Sequence, residues 1–494
     1  MDNLTQFGFN DNTKILLAAL IGLQLLHLFN RSDSIVHPIL LSNQSEPSAV
    51  RNQNQSAIYR NSSIGQLPLI ERPAAKARGV ADLIELGNPN AKIVVQGITF
   101  TVSELIRKSV NSISILDKHT TLRSSQNSAI LIASQDTLTA ILLELGAILI
   151  GLKTIHISPN DNINTALSAL ERKGAEISAI VTDENIGTLP AHFSGLLCAF
   201  TKKIPPNFGL NFIKLDLDQV VTPLSVEKIN REPPTTISYV LNGDEIYSMD
   251  NKNVTAGVYS LLSIIPFAKK PMESDTIVTD EPLSSALGRS LLYTAIYSGC
   301  SYFCLPENSA LPLSPVPQYL FVSGTHLMLL AHDLTSIAVN KWWYRFSRRH
   351  ALAADASGVI PSPSSWGVFS SVRNAIGLGN GLKFIVSTDS LLSDSTAADL
   401  RVSLSVPVVK ALKNPRCSSF AFARIPYDTL QNGGCGPPTT AIEVRLDGGH
   451  EDEFSGRLNF RGPCVLEGEG DQFTQAANSP VMRILESGSF DIKN

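Results

Sequence analysis

Between Thr235 and Gly257 the chain reads TTISYVLNGDEIYSMDNKNVTAG, and here a β-prone run meets a tight polar loop and the start of an apolar segment. A strand, a short loop and a helix N-terminus together present backbone N–H groups, the usual means of holding a phosphate. The side chains oppose that use. Asp244, Glu245 and Asp250 would repel a triphosphate unless a metal intervened, and Lys252 is the one cation near them in sequence. Other chemistry is thinner still. His156 sits in the strand-like TIHI with nothing in sequence to complete a dyad, so it reads as a satisfied core histidine. No Gly-x-Ser-x-Gly elbow suggests a hydrolase. Cys198, Cys300, Cys304, Cys417, Cys435 and Cys464 form no Cys-x-x-Cys pair and read as reduced, buried thiols.

The elements that must position this loop follow from hydrophobic spacing. Thr236 to Leu241 predicts a buried strand and Val254 to Phe267 an apolar helix. From Asn90 onward strands and helices alternate. Residues 93–100 predict a hairpin, and Thr101 to Ser114 a helix capped at Thr101 or Ser103 with Glu104 following. Short apolar strands are expected at 128–133, 154–157, 177–182 and 211–215, and an all-apolar helix at 137–152. This alternation predicts an α/β fold with parallel sheets covered by helices. Gly/Pro punctuation at 435–463 predicts a small β-subdomain, and 469–494 reads as an irregular tail.

With 494 residues, 43% hydrophobic and 17% charged, the chain can bury one or two large cores. A net charge of −4 gives no electrostatic reason to expect nucleic acid. The run from Ile15 to Phe29, ILLAALIGLQLLHLF, lacks a basic leader and a small-residue cleavage site. It reads as an uncleaved short membrane anchor within residues 1–31, against a surface-lying helix. Residues 32–90 form a polar segment with Asn-x-Ser/Thr triplets at Asn43, Asn54 and Asn61, and a fourth triplet stands at Asn253. KWWYRFSRRH at 341–350 is the most cationic and aromatic stretch, suited either to a membrane headgroup zone or to a solvated helix with aromatics in the core.

Taken together, Tyr239, the Asn253 helix start, Pro282-Leu283 with Arg289, Tyr297-Ser298-Gly299, the strand at 382–387 and the Arg461-Gly462-Pro463 turn resemble the AMP-forming acyl-CoA synthetases of the adenylate-forming superfamily, the long-chain fatty acid type in particular. The resemblance covers about residues 37–468, with an α/β AMP-binding-like domain at 91–415 and the small β-subdomain at 416–468. It implies the large N-terminal domain of the adenylate-forming fold. It also implies a nucleotide pocket at Tyr239, Ser387, Thr388, Asp389 and Leu412, and these positions are degenerate. The loop after Tyr239 is shorter than the family's and lacks its Ser/Thr/Gly cluster and Pro-Lys-Gly. Ser285 and Gly288 stand where the family has histidine and glutamate. Thr388 and Asp389 add bulk and charge beside the adenine position. Aligned without gaps, Arg416 falls on the magnesium-associated glutamate, and a cation there is incompatible with Mg²⁺. No counterpart of the family's lysine-bearing C-terminal domain is recognised.

The expectation is therefore a membrane-anchored, catalytically degenerate long-chain acyl-CoA synthetase-like protein, binding a fatty acid, another lipid or a protein partner, with no metal site. ATP, Mg²⁺ and CoA enter only under the alternative, an active fatty acid–CoA ligase with a rebuilt site. The same resemblance implies an endomembrane location, the endoplasmic reticulum first, with the body in the cytosol.

Overall fold

The computed structural model describes residues 11–29, 36, 38–50, 52, 54–120, 122, 127–158, 161–183, 197–201, 212–215, 236–305, 316–338, 342–360, 368–378, 380–429, 434–448, 455–468, 472–478 and 480–493. Thr235, Asn211 and Lys341, each part of an expected element, lie outside them.

Two large sheets carry the α/β body. The first runs in the order β11-β10-β6-β5-β7-β8-β9. Its strands are β5 (Ser128–Ala133), β6 (Lys153–His156), β7 (Glu176–Thr182), β8 (Leu197–Phe200), β9 (Phe212–Lys214), β10 (Thr236–Asn242) and β11 (Glu245–Asp250). All its pairings are parallel except β10 with β11. The second sheet runs β17-β16-β15-β14-β12-β13-β3-β4. It comprises β3 (Lys92–Val95), β4 (Ile98–Thr101), β12 (Thr276–Thr279), β13 (Ser301–Cys304), β14 (Tyr319–Val322), β15 (Phe384–Ser387), β16 (Val408–Lys413) and β17 (Phe420–Ala423). Antiparallel pairs close both of its edges. The expected hairpin at 93–100 is β3–β4, turning at Gln96-Gly97, both at positive φ.

Helices fill the space between these sheets, and the innermost has a sequence that leaves it no polar face. α5 (Thr137–Leu149), TLTAILLELGAIL, is buried from Thr139 to Leu149 and packs against α4 (Val102–Asp117). α4 starts in the capping box that Thr101 and Glu104 predict. α7 (Asn251–Ile264), α8 (Ala286–Ser298) and α3 (Val80–Leu86) complete the layer, and one core cluster joins them to the facing strands of both sheets. A second core lies where α9 (Gly324–Ala338), α10 (Trp342–Asp355), α11 (Val368–Ala375) and α12 (Asp394–Leu404) cover the outer face of the second sheet. α6 (Ile163–Arg172) covers the first sheet.

The third sheet departs from expectation at both ends of the chain. Its order is β1-β2-β18-β19-β21-β22, with β20 also on β19. β18 (Glu443–Asp447) and β19 (Ser455–Arg461) are the expected β-subdomain. β1 (Ser45–Pro47) and β2 (Tyr59–Asn61) come from the segment read as merely polar, which also holds α2 (Pro38–Ser42). β20 (Thr474–Gln475), β21 (Val481–Ile484) and β22 (Phe490–Ile492) come from the stretch read as an irregular tail. Strands of two to four residues are too short to show alternation, and their partners are remote in sequence.

At the N-terminus α1 (Asp11–Phe29) is helical as expected, with Ile15, Leu16, Leu17, Leu20 and Ile21 exposed. Among the described residues no helix is long and apolar enough to cross a membrane. The transmembrane reading of Ile15 to Phe29 therefore finds no support: the apolar stretch, flanked by Asp11 and Lys14 in the same helix, is shorter than the about 20 residues that span a bilayer.

Candidate functional site

The loop at Asn242 to Glu245 closes a β-hairpin. Asn242 pairs directly with Glu245, leaving Gly243 and Asp244 as a two-residue turn with Gly243 at φ +60°. The expected passage from loop straight into helix does not occur, because β11 intervenes. α7 begins beyond it, and the Asp250 carboxylate accepts the Asn253 N–H at 2.7 Å while the Asn253 side chain accepts the Asp250 N–H at 2.9 Å. This capping box engages the amide that an anion would need. The Asn253 amide also donates to the Pro463 and Val465 carbonyls at 3.0 and 2.9 Å, so its triplet is buried structure. Glu245 is engaged too, accepting from the Tyr247 hydroxyl. Lys252 pairs with Glu71 at 2.7 Å.

Arg416 reaches this hairpin from the second sheet's edge. Its guanidinium lies 4.8 Å from the centre of the Tyr247 ring, and its Nη1 donates to the Gln475 carbonyl at 3.1 Å. Burial, with Glu245 beside it, pushes the Tyr247 phenol up to about 12. The position expected to lack a metal carboxylate thus carries a cation stacked on the rebuilt strand.

The five expected pocket positions divide between two sheets. Tyr239 is buried in mid-β10, where burial raises its phenol and its carbonyl accepts from Arg289 Nη2 at 3.0 Å. Ser387 ends β15 fully buried, and Thr388 is equally buried, its N–H donating to the Val322 carbonyl. Asp389 accepts the Gly324 N–H at 3.0 and 3.1 Å and the Leu391 N–H at 3.0 Å, fastening the start of α9. Leu412 faces Phe422 across the β16–β17 pair. Ser387, Thr388 and Asp389 are adjacent at the end of β15, in the same sheet as Leu412, while Tyr239 stands in the other sheet. Gly288 is explained by contact: a Cβ there would lie 2.1 Å from the Pro282 carbonyl oxygen.

A buried polar network between the sheets went unread in the sequence. Glu144, in the middle of α5, accepts from His156 Nε2 at 2.9 Å, Thr154 Oγ1 at 2.5 Å and the Tyr293 hydroxyl at 3.1 Å, with Arg289 Nε at 3.8 Å. Burial alone would raise its carboxyl. Arg289, then His156 and Thr154, outweigh burial and hold it at about 2. Burial keeps His156 below its usual range. The available signal was a single carboxylate inside an otherwise apolar helix. As expected, His156 is a satisfied core residue.

A cavity of about 570 Å³ opens beside the N-terminus of α7, against the third sheet. Arg60, Lys252, Asp250, Glu443, Arg461 and Glu467 are among its walls. The buried Glu443 carboxylate is shared by Arg60 and by Arg461, the latter at 2.7 Å. Glu467 pairs with Lys173 at 2.5 Å and accepts the Ser248 N–H at 2.8 Å. None of the five expected positions lines this space. Among the described residues, no group of three His, Cys, Asp or Glu could hold a metal ion.

The architecture has solved counterparts. O-succinylbenzoate CoA synthetase (MenE) from Bacillus subtilis is similar at a TM-score of 0.59 and 12% identity, over 84% of this chain and 77% of that one. The luciferase-like enzyme of the nonluminescent Zophobas morio mealworm gives 0.59 and 11%, over 87% and 99%. The N-terminal domain of FACL13 from Mycobacterium tuberculosis gives 0.58 and 10%, over 84% and 100%. No protein-family model and no curated protein matches the sequence. The chain has the fold of the adenylate-forming enzymes.

Proposed function

We propose that this chain is a long-chain acyl-CoA synthetase-like protein that no longer adenylates, and that it acts by binding a lipid or a protein partner at an endomembrane, the endoplasmic reticulum first, with its body in the cytosol. The observation that carries this reading is the Gly243–Asp244 turn: where a phosphate loop is expected, the backbone turns in two residues and the next helix caps itself. Adenylation needs charge stabilisation at the phosphates and a placed metal. Arg416 on Tyr247 supplies neither a metal ligand nor an open anion site. The exposed leucines and isoleucines of α1 support attachment to a bilayer by a helix lying in its surface. The apolar residues of α7 and α8 are packed in the main core, which favours lipid contact at the surface over an internal acyl tunnel.

ATP–pyrophosphate exchange with a panel of fatty acids tests the central claim. Exchange stays at background if the reading holds; exchange with any long-chain acid returns the chain to the ligases.

A further inference from the structure

Helix α10 presents two chemically different faces. Inward, Tyr344, Ala351 and Asp355 are buried. The Tyr344 hydroxyl meets Ser403 Oγ at 2.7 Å, and Asp355 takes the Arg401 guanidinium at 2.9 and 2.8 Å. At the flank Arg348 grips both oxygens of Asp399 at 2.5 and 2.7 Å. These contacts fix the helix against α12. At about 100° per residue, Arg345, Phe346, Arg349, His350 and Ala353 fall on the opposite arc, and all five are exposed.

Those five residues include no carboxylate, and Phe346 among them is 71% exposed. Arg345 and Arg349 make no hydrogen bond or ion pair with another described residue. Solvated helix faces ordinarily mix charges of both signs and keep large apolar rings off the surface. An exposed ring set among unopposed cations is the composition of a helix lying on an acidic interface.

We infer that the outer face of α10 docks on an anionic lipid bilayer, with Phe346 entering the boundary between headgroups and acyl chains and Arg345 and Arg349 against lipid phosphates. A nucleic acid fits less well. A chain of net charge −4 offers no wider basic track for a phosphate backbone. The chain also shows a second apolar surface element, the exposed Ile15, Leu16, Leu17, Leu20 and Ile21 of α1, and stable bilayer attachment generally takes two signals. The α10 contact does not depend on whether the fold still adenylates.

Vesicle co-sedimentation of the full chain tests it, using phosphatidylcholine vesicles with and without phosphatidylserine. Each arginine near an anionic surface is worth about fivefold in partition. R345A/R349A should therefore bind phosphatidylserine vesicles about twentyfold more weakly and bind phosphatidylcholine vesicles as before. R345K/R349K should restore most of the binding, and F346A should weaken binding to both vesicle types. Unfolding midpoints unchanged in all variants keep the comparison on the surface. Equal binding of the wild type and R345A/R349A to phosphatidylserine vesicles overturns the inference. So does loss of a fluorescent single-stranded oligonucleotide by R345A/R349A with vesicle binding intact, which would assign the face to nucleic acid.

Discussion

The Arg416 guanidinium sits 4.8 Å above the Tyr247 ring, joining the end of the second sheet to the hairpin strand β11 of the first. One residue stands where a metal carboxylate is expected and the other stands in the strand that follows the shortened loop. Both departures are thus parts of one contact. Arg416→Glu should not create a Mg²⁺ site. It should remove the stack and lower stability by about 1 kcal/mol, read from urea unfolding. Mg²⁺-dependent ATP binding by this variant in calorimetry would refute the account.

Asp250 separates capping from charge. Burial raises its carboxyl, against the lowering effect of its hydrogen bond to Asn253. A raised folded-state pKa means its ionised form opposes folding once pH passes above the unfolded value, while the cap itself stabilises α7. Asp250→Asn keeps an acceptor and should be at least as stable as the wild type at neutral pH, with the difference vanishing in acid. Asp250→Ala loses the cap and should cost about 1 kcal/mol at neutral pH and more in acid, where the wild type no longer carries the buried charge. Equal losses in the two variants would show that the charge is essential.

The Glu144 network predicts acid sensitivity. A carboxyl held at about 2 contributes stability that is complete above its unfolded pKa and lost as pH falls towards that value. His156, depressed by burial, adds to the loss below its unfolded pKa, since unfolding lets it take up a proton. Glu144→Ala strands the buried Arg289 and should cost about 3–5 kcal/mol. It should also flatten the acid limb of the stability–pH curve, and an unchanged limb would place the sensitivity elsewhere.

Removing residues 1–31 should move the protein from the membrane fraction towards the soluble one without lowering its unfolding midpoint. None of the described α1 side chains, 12–22, belongs to a core cluster. Pelleting that survives this deletion but is released by a carbonate wash would leave the surface contact of α10 as the attachment.

The sequence by itself determined the alternation of buried strands and apolar helices, because hydrophobic period is a local property that Ser128–Ala133 or Thr137–Leu149 expresses within its own residues. It also determined the Thr101–Glu104 cap, the β3–β4 hairpin and the core character of His156, each set by neighbours within a few residues or by what is missing beside it. Tertiary structure alone decided the rest. Glu144 finds His156 on β6 and Tyr293 and Arg289 on α8, two other elements. Short β2, β20 and β21 become strands on β18 and β19, and β1 and β22 add to β2 and β21 in turn. Asp250 and Glu245, read as three-carboxylate repulsion with Asp244, turn out to be a cap and a tyrosine's acceptor. The physical reason is the same in each case. A polar side chain's role depends on who satisfies it, and for buried groups the satisfying partner is set by packing across the core rather than by spacing along the chain.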